Sequence, residues 1–305
     1  MLRRVVVITG CDSGLGWAVA ARSAREGLVT VAGMYGGTES RAAKALNGLS
    51  AHTHGLDVTK PESVTEFKDY IDTLVKDNPG YKLHAVVNNA GIMTIGDYEW
   101  QTQSIIENTI NVNLLGAMRV ASAFLPELRR IAIDKQDKLR PRIINIASHC
   151  GLQPLPGFGP YSASKAAVLA WTKALRLEHY HHGLTAVAFV PGGFVTNSNL
   201  LSSQKQQSLA MLENLDEEQK KFYGKRLKTL TDYLALVSQN TSYDSLKDES
   251  IIETYMKALL DENPKELYKV ESGRYNLYYN LLKIPMPESF QQWLINKFLS
   301  FPKKQ

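Results

Sequence analysis

Cysteine is scarce in this 305-residue chain: Cys11 and Cys150 are its only thiols, too few for a disulfide framework and without the spacing of a zinc site. A reducing compartment is the simplest reading, with both residues serving as small apolar side chains. Long apolar runs are missing as well. No stretch approaches the roughly 18 residues of a membrane span, and a strand-like run starting close behind Met1 leaves no room for a signal peptide. There is no block of like charge either: 35 Lys and Arg against 30 Asp and Glu give +5, spread along the chain, which argues against a nucleic-acid partner. Internal repeats and low-complexity segments are also absent. These absences point to a cytoplasmic protein, and 44% hydrophobic with 21% charged residues excludes disorder.

What is present is an alternation. Val5 to Ile8, Val29 to Ala32, Ala85 to Val87, Ile143 to Ala147 and Thr185 to Val190 are short apolar runs, and a helical stretch spans about Gly14 to Glu26. Runs of this kind joined by helices suit strands buried on both faces, so the fold class is α/β with a doubly wound parallel sheet and right-handed crossovers. After Pro191 the alternation stops. The spacing of Leu227, Leu230, Leu234 and Val237 is helical. The chain is read as one domain: a core over 1–196, a helical substrate lid over 197–265 and an amphipathic extension over 266–305.

Two motifs carry chemistry. Thr9-Gly10-Cys11-Asp12-Ser13-Gly14-Leu15-Gly16 links the first strand to the first helix, where glycines allow a tight turn and bring a pyrophosphate to the helix N-terminus. In Tyr161-Ser162-Ala163-Ser164-Lys165 the phenol and the ammonium stand four apart on one helix face, an arrangement expected, with the help of a bound cationic ring, to lower the phenol's pKa toward that of a usable base. Ser148, at the C-terminal end of an apolar run, sits at the functional edge of such a sheet and can hold a substrate oxygen.

Together with Asn88-Asn89-Ala90-Gly91, these motifs resemble the short-chain dehydrogenase/reductase family over about residues 3 to 200. The resemblance implies hydride transfer to or from a nicotinamide, in a homodimer or homotetramer. It assigns Tyr161, Lys165, Ser148 and Asn113 to catalysis, with Asn113 sustaining a proton relay. It assigns Gly10, Asp12, Ser13, Gly14, Leu15, Gly16, Asp57, Val58, Asn89, Ala90, Gly91, Pro191, Gly192 and Thr196 to cofactor binding, along with Tyr161 and Lys165. Asp57 reads equally as a turn or cap residue.

The cofactor is less directly indicated. The second strand ends Met34-Tyr35-Gly36-Gly37, with neither the acid that binds ribose hydroxyls nor a cation for a phosphate. A missing cation is the heavier omission, since an unpaired phosphate charge costs more than an unrecognised hydroxyl, and NAD is favoured. Arg41 keeps NADP open.

The first motif and the tail around Tyr268 to Tyr279, Leu282 to Pro287 and Trp293 to Pro302 are similar to the retinol and hydroxysteroid dehydrogenase branch, which includes D-β-hydroxybutyrate dehydrogenases. A lipophilic alcohol is implied. A small hydroxy acid would need a cation such as Lys205, Arg226 or Lys228 for its carboxylate, and a regulatory protein that binds the cofactor without catalysis is the rival from another class. His149, next to Ser148, reads either as shaping the pocket or, the favoured reading, as an exposed or capping residue. Phe290, Trp293, Leu294, Lys297, Phe298 and Phe301 form an apolar helix face near Lys303 and Lys304, suited to its own domain, to a dimer partner or to peripheral contact with a membrane.

Overall fold

The computed structural model describes residues 3–134, 139–193, 199–237, 242–271 and 273–299. Seven parallel strands make one sheet: β1 (Arg3–Thr9), β2 (Val29–Met34), β3 (His52–Gly55), β4 (Tyr81–Asn88), β5 (Arg142–Ile146), β6 (Thr185–Val190) and β7 (Leu267–Lys269), in the order β3-β2-β1-β4-β5-β6-β7. The short apolar runs form the central strands because both faces are covered. Val6 and Ile8 enter one core with α1 (Gly14–Arg25), α2 (Arg41–Asn47) and α10 (Glu249–Leu260). Val5 and Val7 enter the other with α3 (Pro61–Asp77), α5 (Ala117–Ile133) and α7 (Gly159–His179). All four are fully buried, each contributing roughly 1.5–3 kcal/mol.

Strand order reverses between β1 and β4, and that reversal opens a crevice beyond their C-terminal ends. The two ends are tied directly: Thr9 Oγ1 accepts from the amides of Asn89 and Ala90, at 3.1 and 3.0 Å. Between α4 (Gln103–Ile110) and α5 the helix widens into a π-turn, Asn111–Gly116, a distortion that often marks a functional position.

The second half of the chain corrects the sequence reading. Alternation resumes after the excursion, because α10 packs Ile251, Ile252, Tyr255, Ala258 and Leu259 into the sheet core and leads to β7, which pairs with β6. The helical stretch that leaves the sheet therefore narrows to α8 (Gln204–Asn214) and α9 (Glu217–Val237), and the chain past residue 266 begins as a strand of the sheet. Two buried or half-buried arginines fix this unit from strands and helices far away in sequence. Arg142 donates to the carbonyls of Ala258 and Asp261 at the C-terminal end of α10, and Arg176 to those of Ala186 and Pro264.

Candidate active site

The glycine turn needs its glycines. Gly10 has φ +69°, and a Cβ there would stand 2.7 Å from Ala90 Cα. At Gly16 a Cβ would lie 2.1 Å from the Gly10 carbonyl oxygen. Asn89 braces the turn by donating from Nδ2 to the carbonyls of Thr9 and Gly10, both at 2.9 Å. Gly14 opens α1 at φ +56°, its amide donating to the carbonyl of Tyr243, while Ser13 occupies the cap position and Leu15 is buried behind it.

Asn113 lies in the π-turn, 1% exposed, with its whole amide engaged. Oδ1 accepts from the Ile92 amide at 2.8 Å; Nδ2 donates to the Ile92 carbonyl at 2.9 Å and to Ser164 Oγ at 3.0 Å. Ser164 in turn donates to the Tyr161 carbonyl at 2.7 Å. Asn113 thus joins the loop after β4 to the helix that carries the tyrosine and lysine. Gly91 adjoins both groups, since a Cβ built there meets Asn113 Oδ1 at 3.2 Å and Lys165 Nζ at 3.4 Å.

On α7, Tyr161 and Lys165 share a face as their spacing requires, and Lys165 Nζ stands 5.9 Å from the Tyr161 ring centroid. Lys165 is buried and donates to the Ile146 carbonyl at 2.9 Å, and burial lowers its pKa to about 8. Ser148 follows β5 and caps α6 (His149–Leu152), accepting from the Cys150 amide at 3.2 Å, and its side chain faces the Tyr161 phenol. The ammonium alone does not bring the expected lowering. The chain holds the phenol of Tyr161 above its ordinary range, because burial outweighs the lowering from the Ser148 hydroxyl and Cys150 adds to the rise. Any lowering has to come from charge that binding brings.

The remaining assigned residues are distributed around this centre. Asp12 accepts from the amides of Tyr35 and Gly36 beyond β2. The Asp57 carboxylate accepts from the Thr59 amide at 3.0 Å and its hydroxyl at 2.6 Å, which is the turn role, and Val58 is buried against Gly116. Pro191 and Gly192 follow β6, with Gly192 at φ +80° against Val270. Thr196 lies outside the described residues.

An apolar wall covers the tyrosine. Tyr161 packs in one cluster with Met93, Ile95, Leu155, Phe158, Leu234 and Phe298, drawn from loops, α9 and α12 (Glu288–Leu299). Gln204 fastens α8 to this wall, accepting from the Ile95 amide and donating to its carbonyl, both at 2.8 Å. The cations considered for a carboxylate are not directed here. Arg226 pairs with Asp97 at 2.6 Å, and Lys205 and Lys228 are exposed. The tail helix divides the face read from its spacing: Leu294 and Phe298 are buried in the wall, whereas Phe290 and Trp293 are about half exposed and stack on each other, with Lys297 over Trp293. Phe301, Lys303 and Lys304 lie outside the described residues.

His149 is neither exposed nor a cap. It is 3% exposed, between the rings of Tyr275 and Tyr279 on α11 (Gly273–Leu281), with Glu271 Oε1 3.5 Å from Nε2. Burial lowers its pKa, and Glu271 opposes the shift. Glu271, Tyr275 and Tyr279 escaped sequence reading because only the return of β7 and α11 over the sheet edge brings them here. Ser164 was in plain view inside the motif, and its distance of one residue from Lys165 was the available signal.

This geometry agrees with the comparisons. The family model for short chain dehydrogenases matches residues 4–207. D-beta-hydroxybutyrate dehydrogenase, mitochondrial, of Rattus norvegicus is 30% identical over 271 residues, covering 87% of this chain and 76% of that one. Retinol dehydrogenase 7 of Mus musculus is 33% identical over 270 residues, covering 87% and 79%. Among solved structures, a 3-ketoacyl-(acyl-carrier-protein) reductase from Brucella melitensis complexed with NADH superimposes with a TM-score of 0.66 at 22% identity, over 90% of this chain and 99% of that one. The chain belongs to the short-chain dehydrogenase family, in the branch that holds the retinol and D-β-hydroxybutyrate dehydrogenases.

Proposed function

We propose that the protein is a nicotinamide-dependent oxidoreductase that interconverts a lipophilic alcohol with its ketone or aldehyde. The observation that carries this reading is the convergence of Ser148, Tyr161, Lys165 and Asn113 at the C-terminal edge of the sheet, beneath an apolar wall and beside the glycine turn. The glycine turn, Asn89 to Gly91 and the Pro191-Gly192 loop would hold the cofactor, which when bound supplies the hydride acceptor and a positively charged ring.

In the oxidative direction Tyr161 Oη accepts the proton of the substrate hydroxyl while the carbon loses hydride, leaving a carbonyl. Ser148 orients the substrate oxygen next to the phenol. Lys165 stabilises the phenolate and would help to hold the cofactor's ribose. Asn113 keeps the Ile92 loop and α7 in register, so the proton path at Lys165 stays open.

The wall supports a lipophilic substrate over a hydroxy acid, since the sequence's candidate cations are ion-paired or exposed. Similarity to D-β-hydroxybutyrate dehydrogenases keeps the hydroxy acid as the second reading. The exposed Phe290 and Trp293 support an outward contact of α12, with a membrane surface or a second copy. NADH formation by the purified protein with retinol, hydroxysteroids and 3-hydroxybutyrate separates the two readings. Turnover confined to the lipophilic alcohols is expected; turnover confined to 3-hydroxybutyrate overturns the substrate assignment.

A further inference from the structure

The end of β2 is where a fold of this type meets the adenosine ribose, and an acid there selects NAD, a cation NADP. β2 itself ends in Met34 and the turn beyond it is Tyr35-Gly36-Gly37, which supplies neither. The structure brings a carboxylate to that place from another loop. Asp12, between the first two glycines of the β1–α1 turn, accepts from the Tyr35 amide through Oδ2 at 2.9 Å and from the Gly36 amide through Oδ1 at 2.7 Å.

Two consequences follow from this geometry. The adjacent amides beyond β2 are the donors with which such a turn would greet a phosphate oxygen, and both are taken by Asp12. The side chain also places a negative charge where a 2′-phosphate would bring another, whereas ribose hydroxyls can donate to a carboxylate. No ion pair to Asp12 is formed among the described residues. Arg41 is exposed on the first turn of α2, and Lys44 and Glu39 pair with each other at 3.1 Å.

Resting on the cofactor reading above, we propose that Asp12 is the specificity-determining residue that selects NAD over NADP, in place of an acid at the end of β2. Its position in the first motif conceals this role, because residues between those glycines are expected to contact phosphates through the backbone.

Fluorescence titration of NADH and NADPH against the full chain and the variants Asp12→Asn and Asp12→Ser tests this. Each variant keeps an oxygen acceptor for the turn and removes the charge. The wild type binds NADH more tightly, and in the variants the ratio of the NADPH to the NADH dissociation constant falls by roughly tenfold or more. A fall in both affinities with the ratio unchanged would reduce Asp12 to a brace for the turn and overturn the proposal, as would a wild type that binds the two cofactors equally. Binding of neither by the wild type would instead overturn the cofactor reading itself. Should both variants fail to fold, the wild type alone decides: raising salt from about 0.02 to about 0.5 M screens repulsion and narrows the gap between the cofactors. A gap that widens with salt would show that a cation attracts the 2′-phosphate, and the proposal would be wrong.

Discussion

Lys165 is sealed in the core with a carbonyl as its partner, and burial moves its pKa from the ordinary 10.5 to about 8. Below pH 8 both folded and unfolded chains carry this proton and the burial penalty is present in full. Between about pH 8 and 10.5 the unfolded chain keeps the proton that the native chain has released, so stability rises with pH, by at most about 3 kcal/mol. Buried phenols act oppositely above pH 10: burial raises Tyr161 and Tyr255, the unfolded phenols ionise first, and stability falls. Urea unfolding of the cofactor-free protein should therefore show higher stability at pH 9.5 than at pH 7, and Lys165→Met should flatten that rise. Asn113 works through hydrogen bonds rather than charge. Asn113→Ala strands the amide and carbonyl of Ile92 and should cost about 2–4 kcal/mol in the same measurement.

Among the elements, those with a long run or a clear period were legible from sequence. α1 begins at Gly14 and β6 spans Thr185–Val190 as their patterns require. β7 was not legible, since Leu267–Lys269 is too short for any period and is placed by pairing with β6. α10 has a good apolar face, but nothing local tells whether that face meets the sheet or a lid; Arg142 and Arg176 decide it from far along the chain. The tail helix was legible as amphipathic, though its partner was not. Phe298 contacts the rings of Tyr275, Tyr278 and Tyr279 in the cluster that also holds Tyr161. Phe298→Ala should lower stability by about 2–4 kcal/mol. Because it loosens the wall and not the proton path, it should raise KM for a lipophilic alcohol more than it lowers kcat, as steady-state kinetics would show.

For the molecule as a whole, the parallel sheet followed from the sequence, but strand order did not. Order matters most for function, because the β1–β4 reversal puts the glycine turn, Asn89 and the Ser148 edge around one crevice. Residues drawn from separate strands meet there and should be ordered together by a bound cofactor. NADH at a hundred times its dissociation constant should add about 2.7 kcal/mol to the stability of the chain, a rise of roughly 5–10 °C in Tm by thermal unfolding. NADPH at the same concentration should give a smaller rise.

In the proposed mechanism Tyr161 moves the substrate proton while the rest of the chain binds and orients. Tyr161→Phe removes one hydroxyl from a buried ring and leaves the glycine turn, Lys165 and Asn113 in place. Turnover of a lipophilic alcohol by this variant should fall by roughly a thousandfold or more, with the dissociation constant for NADH essentially unchanged. Turnover near the wild-type rate with NADH binding intact would show that the proton moves through another group and not through Tyr161.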